Sequence, residues 1–273
     1  EWNGAVWVRR ATTGPYSRSR HAMVYDSVRL VTLVFGPSGA DEPGDLWQWD
    51  GEVWSLLHAP GPDAGNRPAV AFDSVRGVLV FVREQYTDNP VETWEWNGKS
   101  WALESEAGPP RREHHLLAFD SRRGVTVLYG GYGGNTDLVD TWEWNGALWT
   151  LRNADGPSAR GKLTFDAERG VSVLCGEGSK SSTWEWDGME WTYRAESPSP
   201  AYGQATTYDS IRRETVLFGG WTGDQTWLYA ARTADVDQDR VADECDACPR
   251  TIPKVPVDDD GCPAVVAGDA NRD

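Results

Sequence analysis

The chain has 273 residues and 30.2 kDa, with 39% hydrophobic and 25% charged residues, enough for one large β domain or two ordinary ones and too apolar for a disordered chain. Lys plus Arg number 26 against 42 Asp plus Glu, a net charge of −16. A surface this acidic repels phosphate backbones and anionic bilayers, which excludes general nucleic-acid binding, and no apolar run is long enough to span a membrane.

Sixteen tryptophans and twenty-nine glycines set the next question, because a repeat accounts for nearly all the Trp. The dipeptide Tyr/Phe-Asp recurs at Tyr25-Asp26, Phe72-Asp73, Phe119-Asp120, Phe165-Asp166 and Tyr208-Asp209, in steps of 47, 47, 46 and 43. A second marker, Trp-x-Trp-Asn/Asp-Gly-x-x-Trp, runs from Trp47, Trp94, Trp142 and Trp184 with nearly the same period. The unit is therefore about 46 residues long and occurs five times.

Within a unit the pattern predicts four short strands. In the third unit the first is His114 to Phe119, and Asp120 to Gly124 turns the chain. The second is Val125 to Tyr129, closed by Gly130-Gly131. A variable loop leads to the third, Thr141 to Trp144, and Asn145-Gly146 turns into the fourth, Leu148 to Leu151. A two-residue turn at Asn97-Gly98 would set Trp96 opposite Lys99 and Trp94 opposite Trp101, with the three Trp rings on one face. Four-stranded antiparallel units of this length, repeated radially, make an all-β, five-bladed β-propeller over residues 1–231. The last unit stops within its third strand at Thr226 to Tyr229, and Glu1 to Trp7 matches the missing remainder. The N-terminal strand is expected to close the ring.

These residues resemble bacterial kelch-like repeats: Gly130-Gly131 and Gly219-Gly220, the fourth-strand Trp54, Trp101, Trp149 and Trp191, and an Arg before the first strand at Arg20, Arg67, Arg112 and Arg160. Three units depart from the Gly-Gly pattern, with Gly36-Pro37, Phe81-Val82 and Cys175-Gly176, and Tyr202 replaces the Arg in the last.

Composition shifts after Ala231. Residues 232–273 carry eleven acidic and five basic residues, three of the four Cys and no Trp, and form a small irregular tail. Carboxylates alternate at Asp235, Asp237 and Asp239, the spacing that wraps a calcium ion in oxygen ligands. Val241 would add its carbonyl, Asp246 would close the shell and Asp243 would reach a second ion. With Cys248-Pro249 and Gly261-Cys262-Pro263, the run resembles a thrombospondin type 3 repeat, although Arg240 stands where that pattern has Gly. Asp269, Asn271 and Asp273 look like the opening of another calcium loop, similar to a dockerin or EF-hand start, which implies a longer, multimodular protein. Cys245-x-x-Cys248 has only Cys262 nearby and no His, too few ligands for zinc. A Cys248–Cys262 disulfide is expected, with the partner of Cys245 left open and Cys175 read as a buried thiol.

The four His lack metal spacing, and the glutamates Glu95, Glu143 and Glu185 recur blade after blade, as structural residues do. The arginines Arg29, Arg76, Arg123 and Arg169, each three after an Asp, read as surface turn pairs of small weight. Trp94, Trp101 and their equivalents are expected to fill the wedge between blades. The turn-proximal Trp49, Trp96, Trp144 and Trp186 are the candidates for stacking on sugars, and the loops after the second strands offer Tyr86, Tyr132, Asn135 and Asp137. The expected function is a non-enzymatic, extracellular or cell-surface module for adhesion, recognising a glycan or a surface protein and held by a calcium-stiffened linker. The alternative is a secreted glycoside hydrolase or lyase with its site in the channel or top loops.

Overall fold

A computed structural model describes residue 6 and residues 8–37, 44–57, 61–65, 67–83, 90–158, 160–177, 182–196, 203–220 and 225–229. Contacts divide the chain into two units, Glu1–Leu228 and Tyr229–Asp273. Apart from Tyr229, every described residue belongs to the first.

The described residues form strands and turns and contain no helix. Blade 1 comprises β1 (Ala22–Asp26), β2 (Val31–Gly36), β3 (Asp45–Trp49) and β4 (Trp54–Leu56). Blade 2 comprises β5 (Ala69–Asp73), β6 (Val78–Arg83), β7 (Glu92–Trp96) and β8 (Trp101–Ser105). In blade 3 the strands are β9 (Leu116–Asp120), β10 (Val125–Tyr132), β11 (Asp137–Trp144) and β12 (Trp149–Asn153), and in blade 4 they are β13 (Gly161–Asp166), β14 (Val171–Gly176), β15 (Ser182–Trp186) and β16 (Trp191–Glu196). Blade 5 shows β17 (Ala205–Asp209), β18 (Glu214–Phe218) and β19 (Thr226–Tyr229). Each sheet is a meander in sequence order, antiparallel in every pairing resolved. First strands of successive blades lie side by side, β1 by β5, β5 by β9, β9 by β13 and β13 by β17, so the sheets form a five-bladed β-propeller with first strands innermost. The N-terminal strand expected to complete blade 5 lies outside the described residues.

Local chemistry explains why the pattern repeats. At the end of each first strand the Asp carboxylate accepts the N–H groups two and three residues on; for Asp73 these are Val75 and Arg76, at 3.0 and 2.9 Å. The next residue takes a positive φ, supplied by Gly77, Gly124 and Gly170, but by Leu30 and Arg213 in the terminal blades. Between third and fourth strands Asn97 accepts the N–H groups of Lys99 and Ser100 at 2.9 and 3.1 Å. That connection has four residues and not two, so Trp96 pairs with Trp101, and Trp94 with Leu103. A register shift between Thr93 and Trp94 accompanies it, and Trp96 and Trp101 still share a face, 5.7 Å apart.

Packing is blade against blade. Leu33 and Phe35 of blade 1 meet Phe72, Leu79, Phe81 and Trp96 of blade 2, and a second cluster joins blade 2 to blade 3 through Val82, Val91, Leu117, Phe119 and Leu128. Tyr25 of blade 1 is 53% exposed where its counterparts Phe72 and Phe119 are at 7% and 9%. On blade 5 Phe218 is 50% exposed where Phe35 is at 3%. Each fourth-strand Trp lies against a Gly-Pro segment entering its blade: Trp54 on Gly14, Trp101 on Gly61, Trp149 on Gly108 and Trp191 near Gly156. A Cβ on Gly61 would sit 2.4 Å from Trp101 Cδ1. Gly61→Ala should therefore cost about 1–3 kcal/mol by overpacking, read from urea denaturation. A loss within error would show that the indole is free to move aside.

Candidate functional site

The recurring polar residues separate into those that hold blades together and those that face solvent. Glu95 is buried and accepts two hydrogen bonds from Arg76, both 2.7 Å, while Arg76 also binds Asp73 at 2.7 Å. The same Glu95 accepts the indole N–H of Trp144, from the next blade, at 2.8 Å. Glu143 repeats the arrangement with Arg123, Arg152 at 2.7 Å and Trp186 at 3.3 Å, and Glu185 takes Arg169 and Arg194. Burial opposes the charge of Arg76, Arg123 and Arg169, yet the adjoining carboxylates raise their pKa above the usual value. These arginines are thus half-buried and not the weak surface pairs expected, and Arg76 and Arg123 bridge blades, each sitting on the Gly of the next blade's turn, Gly146 and Gly188. The recurrence of the glutamates is structural.

Trp94 and Trp101 pack against the apolar cluster between blades 1 and 2, as expected, but the turn-proximal Trp lie deeper still. Trp49, Trp96, Trp144 and Trp186 are buried, and Trp94 and Trp101 are only partly so. The turn-proximal rings face the seams, since pairing with the fourth-strand Trp places them inward. They present no ring face to a sugar.

The two ends of the inner strands differ in chemistry. At one end stand Asp26, Asp73, Asp120, Asp166 and Asp209, each bonded to its own turn and to an Arg. At the other end, six residues before each Asp, stand Arg20, Arg67, His114, Arg160 and Gly203. The first four are exposed. The register corrects the sequence reading, because Arg112 is not the counterpart of Arg20, Arg67 and Arg160; His114 is. Arg112 instead matches Arg18: each binds a carbonyl of its second strand and a carboxylate of its third, Gly130 and Asp140 for Arg112, Gly36 and Asp45 for Arg18. Burial works against the charge of Asp140, but Arg112 and the Trp142 indole hold its pKa below the usual carboxylate range.

These cations converge across blades. Partial desolvation lowers the His114 pKa, and Arg67, Arg160 and Arg20 lower it further against the opposing pull of Glu113. Arg20 and His114 hold φ at 62° and 56°, and Gly203 at the matching place holds 80°. A left-handed backbone costs a residue with a Cβ about 1–2 kcal/mol. Glycine is the unstrained choice there, and two blades keep a cationic or hydrogen-bonding side chain.

The β10–β11 hairpin rises beside this mouth, its strands eight residues each against five or six in blades 1, 2 and 4. Tyr132 is joined to Glu113 by two backbone hydrogen bonds of 3.0 and 2.7 Å. The Arg160 guanidinium lies 5.6 Å from the Tyr132 ring centre, and its Nε donates to Asp137 at 2.9 Å. Asn135 is exposed in the turn between them. The structure thus brings Tyr132, Asn135 and Asp137 together; Tyr86 lies outside the described residues. So do all the tail residues read as ligands, Asp235, Asp237, Asp239, Val241, Asp243, Asp246, Asp269, Asn271 and Asp273, and the cysteines Cys248 and Cys262. Aligning the blades on Tyr/Phe-Asp and counting back six residues would have found the mouth from sequence.

No family description matches the chain, and no curated protein does. Among solved structures, a chain in the crystal structure of a nidogen/laminin complex aligns with 72% of this chain and 74% of its own length, at 12% identity and a TM-score of 0.47. The fold assignment rests on the strand pairing itself.

Two buried groups are inert at neutral pH. Burial pushes the Cys175 thiol up to about 12. His115 is buried under the mouth, and desolvation, reinforced by Arg112, lowers its pKa to about 3. Between pH 6.5 and 3 the unfolded chain binds a proton there that the folded one refuses, so stability is intact above pH 6.5 and falls as pH drops, by up to about 1.4 kcal/mol per unit. His115→Gln should flatten the fall in Tm between pH 6.5 and 4.5 relative to the parent. Parallel curves would mean that His115 is protonated in the fold.

Proposed function

We propose that this chain is a non-enzymatic binding module of the cell surface or extracellular space that takes hold of a protein partner at the mouth formed by Arg20, Arg67, His114 and Arg160 and the adjoining β10–β11 hairpin. The observation that carries this reading is the contrast between the propeller's two sets of polar groups. Glu95, Glu143 and Glu185 are spent on the seams, whereas the mouth offers exposed, blade-specific side chains on a rigid scaffold. Commitment of those carboxylates to the seams supports binding over glycoside hydrolase or lyase chemistry. Burial of Trp49, Trp96, Trp144 and Trp186 supports a protein over a glycan, because the stacking platforms are enclosed.

In this reading the tail is a calcium-stiffened linker within a multimodular protein. Its support is the spacing of oxygen donors at Asp235, Asp237, Asp239, Val241 and Asp246, with Asp243 toward a second ion and Asp269, Asn271 and Asp273 opening another loop. A Cys248–Cys262 bridge closes a short loop in a segment poor in apolar residues.

The test is a screen of the intact chain, in calcium buffer, against protein and glycan arrays in parallel. Protein hits are expected, weakened at least tenfold in a Tyr132→Ala/Asn135→Ala variant of unchanged Tm. Glycan hits indifferent to that variant, with no protein hit, would overturn the assignment.

A further inference from the structure

We infer that the mouth of the propeller is a receptor for carboxylate-bearing side chains of a protein partner, with Arg20, Arg67 and Arg160 as charged donors and His114 as the central hydrogen-bonding group. The inference rests on the binding-module reading and names the chemistry that the module recognises.

Geometry places these groups. They hold one register position just ahead of four adjacent inner strands, so four blades deliver them to the same end of the channel. Three of the four are guanidinium-bearing, and a guanidinium fork matches a carboxylate with two parallel hydrogen bonds. The environment of His114 is positive because Arg20, Arg67 and Arg160 act on it from three other blades. A positive mouth on a chain of net charge −16 gathers acidic ligands locally while the rest of the surface repels them. The opposite end of the channel does not share this character, since its aspartates are closed by their own turns and arginines.

The remaining charges at the mouth fit the same reading. Lys162 adds a cation on β13. Glu113 lies 3.8 Å from Arg111. Burial raises the Glu177 pKa, although Lys162, Arg67 and the backbone N–H groups of Gly203 and Gln204 pull the other way. Arg160 holds Asp137 in an exposed pair, the weak kind that an incoming carboxylate can share or exchange. Tyr132 beneath Arg160 keeps that guanidinium over the opening. Left-handed backbone at Arg20 and His114, where Gly203 shows the unstrained solution, marks side chains retained at a conformational cost.

The probe is a fluorescein-labelled hexaglutamate peptide, followed by anisotropy at low salt, with hexaglutamine and a heparin hexasaccharide as comparators. Hexaglutamate should bind and hexaglutamine should not. Arg67→Ala should lose at least tenfold in affinity and Arg67→Lys less. Arg213→Ala, at the opposite end beside Glu168, should bind as the parent does. Should Arg67→Ala lower the Tm, Arg160→Ala carries the same expectation. Equal binding by parent and variant, no hexaglutamate binding, or preference for the hexasaccharide would each overturn the inference. A protein-array partner that binds parent and Arg67→Ala alike would sink this site and leave the binding-module reading standing; blank arrays beside retained, Arg67-dependent hexaglutamate binding would count against that reading alone.

Discussion

The buried carboxylate at each central seam governs the rest of the structure. Glu95 is held by Arg76 from its own blade and by the Trp144 indole from the next, so one side chain fixes both a turn and the angle to a neighbour. A buried ion pair gains little net stability over an apolar substitute, but breaking it strands a charge, which costs about 3–5 kcal/mol. Its value here is register: only one placement of the next blade puts an indole N–H on that oxygen. Blades 1 and 5 lack the Glu, with Gln48 and Leu228 in its place. In blade 1 the matching Arg29 reaches instead to the carbonyl oxygens of Gly77 and Asn97 in blade 2.

Because the seams take up the repeated charges, the ends of the inner strands are left to differ. One end repeats Asp five times, and each copy is satisfied locally. The other end varies from Arg to His to Gly, and there the scaffold holds exposed groups next to the hairpin with the longest strands among the described residues. In the proposed reading, stability and recognition thus belong to different faces of one repeat.

Much of the fold was legible in the sequence. The Tyr/Phe-Asp step and the Asn/Asp-Gly turns carry strand number, order and blade length, since those residues make the turn hydrogen bonds themselves. Turn length was not legible: Asn97-Gly98 resembles a two-residue hairpin, but the Asn side chain bonds to Lys99 and Ser100 and extends it to four. That shift pairs Trp96 with Trp101 and turns the expected sugar-stacking rings inward. The weight of Arg76 and Arg123 was hidden because their partners Glu95 and Glu143 lie about twenty residues away. At the mouth, Arg112 masked His114, two residues on, because the Arg was matched by type and not by its distance from the Tyr/Phe-Asp step; strand pairing sets the offset.

The central claim is that a carboxylate–indole bond locks one blade to the next. A double-mutant cycle on Glu95→Gln and Trp144→Phe, in urea denaturation, measures it directly. The two side chains are 2.8 Å apart across the seam, and a coupling of about 1 kcal/mol or more is expected. Additive losses, with coupling indistinguishable from zero, would show that this seam is held by its other contacts and that the Glu95–Trp144 bond does not lock it.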